Sequence, residues 1–263
     1  MANRTIITLT TDFGLTDPYV GIMKGVILSH AENATIVDLC HLIQPQDIQS
    51  ASLTLQHSYP FFPGGSVHLV VVDPGVGSNR NIICLKCDRH FFIGPDNGVL
   101  TPFLDTCSAL HLVANEQQFL PSVSHTFHGR DIMAPIAGHL ASGTPVEQIG
   151  PPIAREQCRR IQPPEARISP SSISGTIIHI DNFGNLRSSI TAADLDNIDQ
   201  QKELSIHVGF NIINKLTRSY AEGNENEALA LIDSQEHLEI AVKNDSGAKR
   251  LNIKVGDRIV VRW

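Results

Sequence analysis

Hydrophobic positions in the first half of the chain fall into short β-branched runs separated by stretches of helical spacing. Thr5 to Asp12, Thr35 to Cys40 and Val67 to Val72 read as strands. The last is a continuous apolar run, the pattern of a strand buried on both faces. Tyr19 to His30 and the stretch from Pro45 to about Ser58 read as helices, with Asp17 suited to the first N-cap and Pro18 to its first helical position. Ile82 to Cys87 and Phe91 to Gly94 form an expected hairpin around Asp88-Arg89. Gly94-Pro-Asp-Asn-Gly98 has turn chemistry, a shorter helix is expected from Val99 to Leu104, and Ala109 to Val113 is a further strand. Phe127-His-Gly-Arg-Asp131 leads into a helix from Ile132 to Ala141, ended by Ser142-Gly143. The alternation of strands and helices predicts a doubly wound, mostly parallel sheet.

From Pro151 to Ser174 the pattern breaks into scattered Pro, Arg and Ser with no period, as a linker does. Beyond it only short strands follow, at 176–181, 186–190, 203–210, 228–233, 237–242 and 258–263, with turn residues between them. That predicts a small barrel or sandwich. The expected organisation is an α/β N-terminal domain over 1–160 with a mostly parallel central sheet, a linker over 161–174, and a smaller all-β, barrel-like C-terminal domain over 175–263.

Length and charge narrow the function classes. The 263 residues suffice for one or two domains with a sizeable core. A net charge of −7, with no basic tract, argues against a nucleic-acid partner. No apolar run reaches the ~18 residues that span a bilayer, and the N-terminus enters a strand without a signal-peptide core. Five cysteines, odd in number and irregularly spaced, fit reduced thiols in a cytoplasmic protein. Cys84-Leu-Lys-Cys87 lies in a strand-like run with no second pair, so a zinc or redox role is not expected. No GxGxxG follows the first strand and no P-loop pattern occurs, so neither dinucleotide nor P-loop binding is supported.

The candidate chemistry sits where strands end. Asp73-Pro74-Gly75 stops the Val67–Val72 strand, and Arg80 follows seven residues after Asp73. A carboxylate there stands at the sheet edge where open α/β folds bind ligands, though an Asp–Arg pair closing a turn reads equally well. Asp12 ends the first strand in the same way. His128 precedes a helix N-terminus, whose field favours the neutral, proton-accepting imidazole; a loop histidine satisfied by backbone is the alternative. Asp181-Asn-Phe-Gly-Asn185 sits in an expected hairpin turn, with an aromatic among polar residues that can clamp a planar ligand.

Five motifs occur in one order: Thr10-Thr-Asp-Phe-Gly14, Val72-Asp-Pro-Gly-Val-Gly-Ser-Asn-Arg80, Gly94-Pro-Asp-Asn-Gly98, Phe127-His-Gly-Arg-Asp131 and Ile180-Asp-Asn-Phe-Gly-Asn185. Together the chain resembles the S-adenosylmethionine hydroxide adenosyltransferases, or SAM hydrolases, relatives of the fluorinating and chlorinating enzymes that attack the same molecule. The resemblance implies hydrolysis of S-adenosylmethionine to adenosine and methionine, with Asp73, Arg80 and His128 as the catalytic triad and no metal or added cofactor. It also implies Asp12 on the ribose hydroxyls, Asn185 on the adenine edge within the turn of Asp181, and Phe183 and Tyr220 on the purine faces. Backbone near Val242 would complete that pocket, and Asp17, Ser234 and Glu239 would face the methionine amino and carboxyl groups. It implies a homotrimer whose sites join one copy's N-terminal domain to a neighbour's C-terminal domain. Halogenating relatives lack the Asp and His of the triad, carry an extra loop corresponding to Lys86–Phe92, have Ser-Arg where this chain has Ser234-Gln235, and have an aromatic at Gln46. Water is therefore the expected nucleophile; a halogenase, a non-catalytic S-adenosylmethionine or adenosine binder, and a metal hydrolase are the competing readings.

Overall fold

The computed structural model describes residues 4–196, 198 and 203–263. They form two compact units, 1–161 and 162–263. In the first, β1 (Ile6–Thr11), α1 (Tyr19–His30), β2 (Thr35–Cys40), α2 (Ile48–Ser58) and β3 (Val67–Val71) follow in order, then β4 (Ile82–Cys87), β5 (His90–Pro95) and β6 (Ala109–Leu112). Among the described residues these strands make one six-stranded sheet, ordered β2-β1-β3-β5-β4-β6. The pairings from β2 through β5 are parallel, and β4 pairs antiparallel with both β5 and β6. The sheet is therefore mixed, which corrects the mostly parallel expectation. The cause is the hairpin: two residues, Asp88 and Arg89, join β4 to β5, and so short a link permits only an antiparallel pair.

Strand alternation divides the core. Ile7, Leu9, Leu69 and Val71 face a layer with Met23 and Ile27 of α1 and with Ile136 and Ala137 of α3 (Ala134–Ala141). Val70, Val72, Ile83 and Leu85 face Ala51 and Leu55 of α2. That second face also buries a polar chain: the Thr8 hydroxyl lies 2.8 Å from His68 Nδ1, and His68 Nε2 lies 3.2 Å from His90 Nδ1.

Several element ends differ from the sequence pattern, each for a local reason. Pro18, not Asp17, occupies the N-cap of α1; its carbonyl accepts from the Ile22 N–H and no side chain caps the helix. Helix α2 starts only at Ile48, because Gln46 has φ +68° and Asp47 is the cap, its Oδ1 accepting from the Ser50 N–H at 2.9 Å. The stretch 99–104 holds a single 3₁₀ turn, Thr101–Phe103, with Pro102 inside it. Before α3, Gly129–Met133 forms one π turn. Pro135 has no N–H for the Asp131 carbonyl, four residues back, and the Leu120 N–H takes that carbonyl instead, at 2.9 Å.

The second unit is antiparallel throughout its main sheet. It contains β7 (Arg167–Ser169), β8 (Ser172–Ile180), β9 (Leu186–Thr191), α4 (Ala192–Leu195), β10 (Ser205–Val208), β11 (Asn211–Ile213), β12 (Ala228–Ile232), β13 (His237–Val242), α5 (Gly247–Leu251) and β14 (Arg258–Arg262). The order is β11-β10-β14-β8-β9-β13-β12, with β7 beside β8. β7 lies in the stretch that reads as linker, and β11 has no counterpart in the sequence pattern. Leu216 bridges to Ala230 of β12, drawing the two outer strands together into a nearly closed, barrel-like sheet.

The buried histidine gives a stability signature. Burial, then the neighbouring His90, lowers the His68 pKa from 6.5 to about 3. Between those values the unfolded chain binds one more proton, so stability falls as pH drops below 6.5, by ~1.4 kcal/mol per pH unit for this group. His68→Gln is expected to flatten the pH dependence of urea unfolding by that slope; equal slopes in the two proteins would contradict it.

Candidate active site

The exit of β3 is held by a side chain from the next turn. Asn97 Nδ2 donates to the Val72 carbonyl at 2.9 Å, so the Gly94–Gly98 segment is a turn that clamps the strand end. The chain then coils tightly, with Val76 N–H on the Asp73 carbonyl and Ser78 N–H on the Gly75 carbonyl. This return brings Arg80 onto Asp73. Its Nε donates to Oδ1 at 2.8 Å and its Nη2 to Oδ2, a two-pronged pair whose side chains are 4% and 5% exposed. Gly77 has φ +78°, and a Cβ there would lie 2.3 Å from the His125 carbonyl oxygen. Only glycine lets this loop pack against the segment that carries His128.

That segment is anchored by Asp131, which is fully buried. Its Oδ2 accepts from the Ser124 N–H at 2.8 Å and its Oδ1 from Arg130 Nε at 2.5 Å. His128 stands at the entrance of the π turn. Arg80 Nη2 lies 2.9 Å from His128 Nδ1. A guanidinium can only donate, so Nδ1 accepts, and the proton of the neutral ring sits on Nε2. Burial, then the Arg80 charge, lowers the His128 pKa below its ordinary value, which favours that neutral ring. Asp73, Arg80 and His128 thus form one bonded unit. Asp73 and His128 line a cavity of about 300 Å³ together with Asp12, Phe13, Gln46 and Phe127; Arg80 does not line it. One oxygen of Asp12 accepts from the Gln46 N–H at 2.8 Å.

The second unit has its own cavity, of about 750 Å³, lined by Asp181, Phe183, Asn185, Tyr220, Val242 and the stretch 243–245. The hairpin turn is built around Asp181. Its Oδ1 accepts from the Phe183 and Asn185 N–H groups, and its Oδ2 from Asn185 Nδ2 at 3.0 Å. Gly184 has φ +87°, and a Cβ there would collide with Ser246. Phe183 is 77% exposed, and the Tyr220 hydroxyl donates to Glu239 Oε1 at 2.6 Å. Burial, then that bond, raises the Tyr220 pKa, and burial raises that of Glu239.

Both parts of the chain match one family. The profile for the SAM hydroxide adenosyltransferase N-terminal domain covers residues 7–150, and that for its C-terminal domain covers 175–260. The chain belongs to the SAM hydroxide adenosyltransferase family. It is 34% identical to an (R)-S-adenosyl-L-methionine hydrolase of Thermus thermophilus over 94% of this chain and 95% of that one. It is 31% identical to a hydrolase of the same name from Salinispora tropica, over 99% of both chains. A fluorinase of Actinopolyspora mzabensis is 26% identical over 97% of this chain and 96% of the other. In three dimensions it resembles the crystal structure of an uncharacterized conserved protein from Thermotoga maritima, with a TM-score of 0.90, 32% identity, and coverage of 98% and 100%.

Of the residues the resemblance singles out, the two cavities gather most; besides Arg80, which stands behind Asp73 and His128, three lie outside. Asp17 and Ser234 are exposed and line neither cavity. Glu239, 4% exposed, also lines neither and instead holds the Tyr220 hydroxyl. Sequence reasoning passed over Asp131 and Asn97 as supports. Both stand inside the recognised motifs, which was the available signal. Gln46 was noted only as replacing an aromatic of the halogenating relatives; that it walls the first cavity with a left-handed backbone leaves no trace in the sequence.

Removing one member of the buried pair isolates the other. Arg80→Met leaves Asp73 buried without its cation and is expected to cost about 3–5 kcal/mol in urea unfolding. A loss under ~1 kcal/mol would mean that the pair is solvated in solution.

Proposed function

We propose that this protein hydrolyses (R)-S-adenosyl-L-methionine to adenosine and L-methionine. A water oxygen bonds to ribose C5′ while the C5′–S bond breaks, its electron pair going to sulfur and one proton being released. The observation that carries this reading is the Asp73–Arg80–His128 unit opening on a cavity at the C-terminal edge of β3. The named relatives support it. The two-residue β4–β5 connection and the lower identity to fluorinases favour water over halide.

The sulfonium is already a good leaving group, so the task is to align and deprotonate a weak nucleophile. With Nδ1 occupied by Arg80, His128 offers Nε2–H as a donor to the incoming oxygen. Asp73, the carboxylate beside it in the cavity, takes the proton of the oxonium formed as C–O bonding proceeds. Arg80 orders both groups from behind and holds its charge at any working pH. This departs from His128 as the proton acceptor, because the neutral ring already carries its proton on the nitrogen left free. No metal or added cofactor enters the reaction.

Asp12 would take the ribose hydroxyls. Phe183 and Tyr220 would bracket the purine, where stacking contributes roughly 1–3 kcal/mol per base. Because Asn185 Nδ2 is held by Asp181, its carbonyl oxygen is available to the adenine amine. Asp17 and Ser234 remain the candidates for the methionine amino and carboxyl groups, while Glu239 acts through Tyr220. The triad lies wholly in the first unit and the purine residues wholly in the second. That division supports a homotrimer with sites shared between copies. The absence of any disulfide among the five cysteines supports a cytoplasmic setting.

Incubation with the (R) epimer should give adenosine and methionine in equal amounts, unchanged by chelator or by chloride and fluoride. Appearance of 5′-halo-5′-deoxyadenosine would favour the halogenase reading, and tight binding without product the sensor reading. Asp73→Asn is expected to lower kcat by at least ~100-fold. The acid limb of kcat/KM should lie below pH 6.5, since His128 is held below its ordinary value, and should vanish in His128→Asn. Light scattering should return three times the 28.7 kDa chain mass. Co-assembled Asp73→Asn and Phe183→Ala copies should regain activity that neither has alone; no recovery would place each site within one copy.

A further inference from the structure

We infer that His41 is a positioning residue for the Asp12 wall of the cavity, acting through Thr11 and backed by Asp38; this rests on the substrate-binding reading of that cavity. Thr11 is the last residue of β1, fully buried, and His41 is 4% exposed. The Thr11 Oγ1 accepts from the Phe13 N–H at 3.2 Å and lies 2.9 Å from His41 Nδ1. With its oxygen engaged by that N–H, the hydroxyl proton is free to point at Nδ1. With Nδ1 accepting, the ring proton is on Nε2, which stands 3.0 Å from Asp38 Oδ1, a close polar contact somewhat off the line of a hydrogen bond. Lys24 Nζ holds the other Asp38 oxygen at 2.6 Å. Burial raises the Asp38 pKa, and the neighbouring Lys24 and His41 more than offset it, keeping the carboxylate charged.

The donors therefore run one way from the Phe13 N–H through Thr11 and His41 toward Asp38, which Lys24 holds from the other side. Two further bonds tie the same pair of segments: Gly14 N–H donates to the His41 carbonyl at 2.8 Å, and Gln46 N–H to Asp12 Oδ2 at 2.8 Å. The second holds Gln46 at φ +68°, a conformation a non-glycine residue adopts at a cost. The network begins where the sheet ladder fails. The β1–β2 register shifts between Leu9 and Thr10, with Leu9 opposite Asp38 and Thr10 opposite Cys40. Side chains take over from the ladder there and lash residues 11–14 to residues 41–46. Asp12, Phe13, Pro45 and Gln46 all line the cavity. The lashing sets where the Asp12 carboxylate stands, so the lost contact would be felt in ribose binding.

The test compares Thr11→Val, which keeps shape and loses the hydroxyl, with Thr11→Ser, which keeps the hydroxyl, and with His41→Asn. Steady-state hydrolysis is read beside calorimetric Kd values for adenosine and 2′,3′-dideoxyadenosine. Thr11→Val and His41→Asn should raise KM and the adenosine Kd about tenfold, with kcat within threefold. Discrimination against the dideoxy analogue should shrink by the same factor, and Thr11→Ser should stay within twofold of wild type. KM and Kd within twofold in Thr11→Val, or a fall in thermal stability with discrimination unchanged, would overturn the inference. If the wild-type protein binds adenosine but hydrolyses nothing, the proposed reaction fails while the Kd arm still decides the positioning role.

Discussion

One guanidinium governs the first half of the molecule. Arg80 grips both oxygens of Asp73 and also donates to His128, so three groups from two distant segments share one geometry. Everything nearby serves that meeting. The apolar β3 strand delivers Asp73 to the sheet edge, Asn97 fixes the strand exit, Gly77 allows the loop to lie against the chain before His128, and Asp131 anchors the π turn that presents the ring. The charge of Arg80 also decides which nitrogen of His128 is bare and which is protonated.

The same device recurs without opening on a cavity. Asp131 is buried and held by Arg130, and Asp233 by Arg187 in the second unit. Asp73, Asp131 and Asp233 are each neutralised by an arginine, which offsets the desolvation, whereas buried Glu239 takes the Tyr220 hydroxyl and buried Asp96 the Arg159 N–H. The two cavities differ in chemistry. The first sets two carboxylates and an imidazole beside Phe13 and Phe127; the second sets Phe183 and Tyr220 beside an amide held in a preset orientation by Asp181.

Much of this was legible in the sequence because it follows from local rules. The β-branched run at 67–72 and the strand-stopping Asp73-Pro-Gly needed only pattern and turn chemistry. The seven-residue return to Arg80 left a turn-closing pair and a site equally open; the structure has the pair, and Asp73 also lines a cavity. Features that depend on a partner far along the chain were not legible. The β4–β5 hairpin at Asp88-Arg89 was legible, but not that β6 then pairs antiparallel with β4 and leaves β5 against β3. The π turn depends on Leu120 taking a carbonyl that Pro135 cannot serve. Glu239 reads as a ligand-facing acid until Tyr220, nineteen residues away, claims it. Gln46 in a left-handed conformation runs against its own preference, and only the Asp12 carboxylate explains it.

The most direct check on this account is the protonation state of a single ring. Two-dimensional ¹H–¹⁵N spectra of the protein with labelled histidine, assigned by comparison with His128→Asn, report which imidazole nitrogen bears hydrogen. Near pH 7 the bond from Arg80 requires a neutral His128 with the proton on Nε2 and a bare Nδ1. A ring protonated on Nδ1, or doubly protonated, would mean that Arg80 does not join the two segments, and the central geometry would be wrong.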